Sequence, residues 1–199
     1  MAVSNPAALT PAVQELLDID LAMPLGAGKP QTAHRDALRR LAPEELFGSG
    51  PPQRRDLAAV CLALLWLRFD FLDEAHKIVQ EIENRAGSFG HAIVHRRDGD
   101  YSNSKYWLRQ AGEQAIFPAL AQFCGEMSSP EFAQPASRLV TGAGWNAGAF
   151  VDLCSAAMAG RAPCQNAASV AWLEQLQTRE WELFFDHCQN GAMGRAGQP

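Results

Sequence analysis

The chain has 199 residues, of which 47% are hydrophobic and 20% are charged, as expected for a globular protein with a real core. Its formal net charge is −5. This charge excludes a general nucleic-acid binder, because neutralising phosphate groups requires a basic surface, but it leaves room for a local pocket that binds a small anion.

No secretory signal and no membrane span are predicted. The first residues, MAVSNPAAL, lack a basic start and a long apolar run, and the best apolar run, Leu57 to Trp66, is too short to cross a bilayer. The five cysteines are scattered without a CxxC pair, which indicates reduced thiols. We therefore expect a soluble, cytoplasmic protein.

Residues 1–52 are predicted to form short helices separated by loops rich in proline and glycine. In TPAVQELLDID, Thr10 is expected as the N-cap and Pro11 as the first helical residue. The segment LAMPLGAGKPQ ends this helix, and a second helix is predicted from about Thr32 to Leu41. The loop GSGPPQ then separates these residues from the main helical domain, predicted at residues 53–190.

The main domain is predicted to begin with a buried helix and an amphipathic one. RRDLAAVCLALLWLRF is apolar on nearly every side, which indicates a central position. FLDEAHKIVQEIEN has apolar residues at helical spacing on one face. We assign its DEAH letters to a solvated stretch of this helix, because a helicase box requires a preceding apolar strand and a nucleotide-binding loop.

The remaining segments are also predicted to be helical. The clearest is NAASVAWLEQLQTREWELFFDHCQ, with its N-cap at Asn166 or Ser169, and the tail at 191–199 is predicted to be frayed. No alternating run of valine, isoleucine or threonine indicates a strand. The predicted fold class is therefore all-α, a compact multi-helix domain that is one domain overall.

Two antiparallel helical hairpins are predicted in the middle of the chain. Ala75 lies twelve residues after Ala63, and Ser104 lies twelve residues after Ala92. Small residues at these points let paired helices approach closely, as in tetratricopeptide hairpins. The two copies are spaced more closely than that repeat requires, and no third copy is present. We therefore predict stacked hairpins, weakly tetratricopeptide-like, inside a closed domain.

The most polar segment of the chain is HAIVHRRDGDYSNSKYW, residues 91–107. Gly87 and Gly90 are expected to interrupt the chain just before it. The turn expected at Gly99–Asp100 divides it into two helices, His91–Arg97 and Ser102–Gly112. The segment is thus predicted to be a helical hairpin, so its polar groups can converge across a short distance.

A metal site is the first interpretation of this segment. His91 and His95 are four residues apart and stack on one helix face, which Asp98 continues. Two imidazoles and a carboxylate are plausible ligands for a divalent metal ion such as zinc, iron or nickel. The spacing defines no third protein ligand.

A pocket for a small anionic ligand is the second interpretation. A planar guanidinium matches the two oxygens of a carboxylate or phosphate, and His91 or His95 would act as general acid or base, since histidine titrates near neutral pH. Arg109 is a further candidate cation. The predicted ligand-binding residues are Arg96, Arg97, Asp98, Asp100, Asn103, Tyr106 and Trp107.

The third interpretation is structural. The two arginines and the aspartates after them can form ion pairs around a tight turn, Asp100 can cap the next helix, and Asn103 can serve as a cap as well. The protein would then be a non-enzymatic helical-hairpin module for protein interaction. The residues alone leave these three interpretations open.

The same segment resembles an uncharacterised, mainly bacterial family of similar length, whose members carry a segment like HxIxHRREGDxxNAxYW. WNAGAFVDLC and LQTREWELFFDHC are similar to later parts of that family, so the resemblance covers most of the chain from about Leu57 to Cys188. It implies no established activity. Asp98 stands where the family has glutamate, and Ser104 where it has alanine. The resemblance marks as fixed points His91, His95, Arg96, Arg97, Gly99, Asp100, Asn103 and Trp107.

Overall fold

The structure, a computed structural model, describes residues 9–127 and 129–195. The α-helices in these ranges are α1 (Pro11–Leu17), α2 (Arg35–Arg39), α3 (Arg55–Arg68), α4 (Leu72–Val79), α5 (Arg85–Asp98), α6 (Tyr101–Ala111), α7 (Phe117–Glu126), α8 (Ala133–Leu139), α9 (Ala147–Met158) and α10 (Ala167–Ala192). Two short strands, β1 (Val140–Thr141) and β2 (Gly144–Trp145), form a hairpin, and 3-10 turns cover Thr32–His34 and Pro43–Glu45. The all-α prediction is confirmed.

Helix α3 is the centre of the fold. Ten of its fourteen residues are buried, as its apolar sequence predicts. The long helix α10 packs along it, and the Trp181 indole Nε1 donates to the Leu64 carbonyl oxygen over 2.9 Å. Each fully buried aliphatic side chain contributes about 1.5–3 kcal/mol of transfer free energy. Packing of α4, α5 and α10 on α3 therefore provides the main apolar core.

The predicted hairpins are present as α3–α4 and α5–α6. Ala63, Ala75, Ala92 and Ser104 are all buried. In the second hairpin the Ser104 hydroxyl donates to the Ala92 carbonyl oxygen over 2.8 Å. The small residues therefore lie at the close approach of the paired helices, as predicted. The likeness to a tetratricopeptide stays a prediction.

Helix α5 begins six residues earlier than the predicted start at His91. Asn84 is the N-cap, and its side chain accepts from the Gly87 N–H over 2.9 Å. Gly87 lies inside the helix, and glycine is needed there because a Cβ would collide with the backbone and side chain of Ile82. The prediction that Gly87 and Gly90 interrupt the chain before the helix was wrong, since both glycines serve close packing.

The β1–β2 hairpin was not predicted. Val140 pairs with Trp145 and Thr141 with Gly144, and Gly144 has a φ of 101°. Strands of two residues carry no alternating pattern that a sequence could display. The hairpin sets the position of Trp145 just before α9.

An irregular N-terminal strap (residues 19–31) crosses the helices. Backbone groups outside helices and sheets need other partners when buried, and here helix side chains donate to the carbonyl oxygens of this region. Arg68 donates to the carbonyl oxygens of Leu17, at the end of α1, and of Ile19 (3.3 and 2.8 Å). Gln177 donates to those of Met23 and Pro24 (3.1 and 2.9 Å), and Arg97 to that of Gly26 (3.1 Å). Met23 and Leu25 belong to the same apolar core as α3. The N-terminal residues thus pack on the predicted main domain.

The end of α10 is also held in place. The Ala192 carbonyl oxygen accepts from the N–H groups of Gln53 and Arg54 over 2.8 and 3.0 Å. The helix therefore enters the tail predicted at 191–199. Residues 196–199 of that tail, and residues 1–8, for which no secretory signal is expected, lie outside the described residues.

All five cysteines are buried, and burial raises the pKa of each thiol. The thiols are therefore protonated and shielded at neutral pH. No helix in the described ranges is both long and apolar enough to cross a membrane.

Candidate metal centre

Three histidines converge between α4 and α5. One ring nitrogen each from His76, His91 and His95 lies within 4.8 Å of the other two. The Nε2 atoms of His76 and His91 are 2.8 Å apart. The rings of His91 and His95 are stacked with centroids 4.7 Å apart, and the His76 ring stands edge-on to both. We call these three residues the histidine triad.

Local sequence and helix packing together build the triad. His91 and His95 stack because they are one turn apart on α5. His76 reaches them because α4 packs closely on α5 at Gly90, where a Cβ would lie 3.1 Å from Val79 Cγ1. The glycine before His91 therefore lets α4 approach closely enough for its histidine to meet the other two.

The triad lies at the edge of the core. His91 is 4% exposed and His95 is 7% exposed, whereas His76 is partly exposed. Burial, then the neighbouring imidazoles of His95 and His76, lowers the pKa of His91 to about 4. Burial also lowers the pKa of His76. Both rings are neutral at pH 7, the protonation state in which imidazole binds a metal.

Two polar side chains flank His95. An Asp98 carboxylate oxygen lies 3.3 Å from His95 Nδ1, and Asn103 Nδ2 lies 3.1 Å from His95 Nε2. Asp100 accepts from the Asn103 backbone N–H over 3.1 Å and thus caps α6. This hydrogen bond, and a second one from the Ser102 hydroxyl, lower the pKa of Asp100. The turn at Gly99, with a φ of 88°, brings this cap back toward α5.

Aromatic residues of α6 cover the other side of the triad. The Trp107 ring stacks on His91 with centroids 4.1 Å apart and planes 21° apart. Tyr106 packs edge-on against Trp107 and is 46% exposed. Trp107 therefore holds the His91 ring in place, while Tyr106 lies at the surface.

The geometry fits a metal ion. In zinc sites imidazole nitrogens lie about 2.0–2.1 Å from the metal, so tetrahedral ligands are about 3.3–3.4 Å apart. The 2.8 Å and 4.8 Å separations in the triad bracket this value. The Nδ1 atoms of His91 and His95 are both buried without a hydrogen-bond partner among the described residues. The triad can therefore hold a metal ion after small side-chain rotations.

Arg96 lies on the opposite side of α5 and is 2% exposed. Its guanidinium forms a two-pronged ion pair with Glu180 of α10, with Nη1 and Oε1 3.2 Å apart, and stacks over Phe150 at 4.5 Å. Such a pair satisfies a buried charge. The predicted ligand-binding role of Arg96 is not retained in the function proposed below.

Arg97 is fully buried. It pairs with the carboxylate of Asp70 and donates through Nε to the Gly26 carbonyl oxygen over 3.1 Å. Asp70 adopts a φ of 59° in the α3–α4 turn, and the chain passes so close at Gly28 that a Cβ there would meet the Asp70 carboxylate. Arg97 thus joins α5, the α3–α4 turn and the N-terminal strap, and it is not retained as a ligand contact either.

Sequence reasoning missed His76. The assignment of DEAH to a solvated stretch suits the exposed Asp73, but it was wrong for His76, which turns toward α5. The acidic partners Asp70 and Glu180 were missed as well. The sequence carries one indication that His76 is turned inward: it follows Ala75, which is buried. This position places His76 at the edge of the packed face of α4.

Comparison with known proteins returns nothing: no protein-family model, no curated protein and no solved structure matches the chain.

Proposed function

We propose that the protein binds a divalent transition-metal ion through His76, His91 and His95. The observation that carries this proposal is the convergence of three imidazoles from two helices within 4.8 Å, two of them almost fully buried. The Nε2 atoms of His76 and His91 lie at hydrogen-bond distance, so one imidazole can donate to the other, whereas a shared cation would bind all three rings.

The ligand chemistry favours zinc or a similar transition metal. Imidazole suits zinc, copper, iron and nickel, whereas magnesium and calcium require sets of oxygen ligands. Asp98 beside His95 resembles the carboxylate–histidine–metal arrangement that orients metal ligands and raises their basicity. Zinc is the simplest assignment, because it needs no redox partner.

Three protein ligands leave a fourth position open in a tetrahedral site. Catalytic zinc sites have this composition, and there the metal lowers the pKa of a bound water to about 7. The partly exposed His76 and Asp98 lie on the side from which water or a small substrate can approach. A metal ion held by the three histidines would supply Lewis-acid activation of water, and hydrolysis is the reaction class that we propose for such a centre.

The structural interpretation has its own supporting observation. Arg96 forms a buried ion pair with Glu180, and Arg97 forms one with Asp70. In that case the triad is a packed set of histidines, and the protein is a helical-hairpin interaction module. Metal binding distinguishes the two functions.

The test is calorimetric titration of chelator-treated protein with Zn²⁺, repeated with Co²⁺ while the visible d–d absorption is recorded. We expect one ion per chain and a Co²⁺ spectrum of low coordination number. His76→Gln should weaken Zn²⁺ binding by at least about a hundredfold, since even second-shell changes cost 10- to 100-fold.

His187→Gln is the matched control, because His187 is also partly buried, has a lowered pKa and lies outside the triad. It should bind Zn²⁺ like the wild type. Absence of stoichiometric binding, or an equal loss in His76→Gln and His187→Gln, would favour the interaction module instead.

A further inference from the structure

A cleft of about 770 Å³ lies away from the histidine triad and is lined by none of its three residues. It lies between the second half of α6, the β1–β2 hairpin and the first turn of α9. Its volume is in the range of pockets that bury small organic ligands, about 300–1,000 Å³. The cleft therefore has the size of a binding site and is independent of the proposed metal centre.

Two cations of α6 line the cleft. Lys105 forms an ion pair with Asp152 of α9. Arg109 is exposed and makes no ion pair with any described residue, and its guanidinium stands 5.8 Å from the Tyr106 ring. Arg109 is thus the charge in the cleft that is free to meet a ligand.

The first turn of α9 supplies backbone donors. Asn146 is the N-cap, and its side chain accepts from the Ala149 N–H over 3.0 Å. Within the described ranges, the N–H groups of Ala147 and Gly148 have no acceptor. The positive end of a helix dipole with free N–H groups favours a bound anion.

Trp145 gives an independent sign of a missing partner. It lines the cleft, is 5% exposed, and its indole Nε1 is buried with no acceptor among the described residues. A buried donor without an acceptor costs free energy, and native structures contain few of them. The Nε1 atom is covered in this structure, so a ligand oxygen in the cleft would reach it, and remove that cost, after a small rotation of the indole.

The charges and walls of the cleft select the ligand class. The positive charges of Lys105 and Arg109 are balanced by the negative charges of Asp152 and Glu113. The positive end of the α9 dipole therefore makes the electrostatic potential of the cleft positive. A single negative charge suits this balance better than a phosphate dianion. Leu108 and Phe117 supply an apolar wall. We infer that the cleft binds a small organic monocarboxylate with an apolar body.

The experiment follows the indole N–H resonances of protein labelled with ¹⁵N-tryptophan during titration with benzoate at low salt. The Trp145 resonance, assigned with Trp145→Phe, should shift and saturate. The resonance of Trp172, whose Nε1 is also buried without a described acceptor but which does not line the cleft, should stay in place. Benzamide, which has the same shape without the charge, should leave both unmoved.

Arg109→Gln should weaken benzoate binding about tenfold, as loss of a charged hydrogen bond does. Arg39→Gln, which removes an exposed arginine elsewhere, should bind benzoate like the wild type. His76→Gln should also leave benzoate binding intact, which separates this cleft from the metal centre. An unmoved Trp145 resonance, or equal affinities for Arg109→Gln and Arg39→Gln, would overturn the inference.

Discussion

Helix α5 buries two kinds of polar side chain that are neighbours in sequence and opposites in environment. Arg96 and Arg97 are each paired with a buried carboxylate, from Glu180 and Asp70. His91 and His95 instead face each other and a third imidazole, and the Asp98 carboxylate beside His95 is partly exposed.

The difference separates stability from binding. A buried guanidinium requires a counter-charge, and both arginines have one within the protein. His91 remains buried with its pKa lowered to about 4, and its Nε2 atom lies 2.8 Å from His76 Nε2, so the imidazoles face one another without a counter-charge buried among them. We infer that the arginine side of α5 stabilises the fold, while the histidine side is arranged for a cation from outside.

The largest effect is expected on the arginine side. Arg97→Met keeps much of the side-chain volume but leaves the Asp70 carboxylate buried without its partner. The free energy of unfolding should fall by about 3–5 kcal/mol. Urea denaturation measures this change.

The matched control for Arg97→Met is Arg39→Met, a surface change that should stay within about 0.5 kcal/mol of the wild type. Arg97→Met/Asp70→Asn should recover part of the loss, because it removes the unpaired charge. A loss of less than about 1 kcal/mol in Arg97→Met would remove the contrast between the two sides of α5.

A pH-dependent effect is expected on the histidine side. The unfolded chain protonates His91 near its ordinary pKa of 6.5, whereas the folded protein keeps it neutral down to about 4. Between these values the unfolded state binds more protons, so the free energy of unfolding falls as the pH falls. His91 contributes at most about 3 kcal/mol to the free energy of unfolding. Solvent that reaches the triad through His76 makes this contribution smaller.

This contribution is measured in metal-free protein as the difference between the wild type and His91→Gln. Subtracting the two curves removes the effect of His187, whose lowered pKa acts in the same direction. The wild type should lose stability between pH 6.5 and pH 4 more steeply than His91→Gln. Parallel curves would mean that burial of His91 is not coupled to folding.

The smallest effect is expected at the rim of the triad. Asp98→Asn removes the charge beside His95 but can still accept the Asp100 N–H, which now lies 2.9 Å from an Asp98 carboxylate oxygen. Zn²⁺ affinity should fall by about 10- to 100-fold. Asp152→Asn, which changes an exposed carboxylate outside the triad, is the control. Equal affinities in the two variants would show that Asp98 does not support a metal ligand.

Much of the local structure could be predicted because its causes lie close together in the chain. The buried helix α3, the Gly99–Asp100 turn and the cap at Asn166 each depend on residues within a few positions. The starting point of α5 was missed, because Gly87 was interpreted as an interruption when it is a close-packing residue.

The sequence by itself determined an all-α chain, its hairpins and the stacking of His91 on His95, since helical periodicity acts over four residues. Only the tertiary structure decided that His76 completes the triad and that Glu180 and Asp70 neutralise the two arginines. Those contacts join residues far apart in the chain. They depend on how closely whole helices pack, which no local pattern encodes.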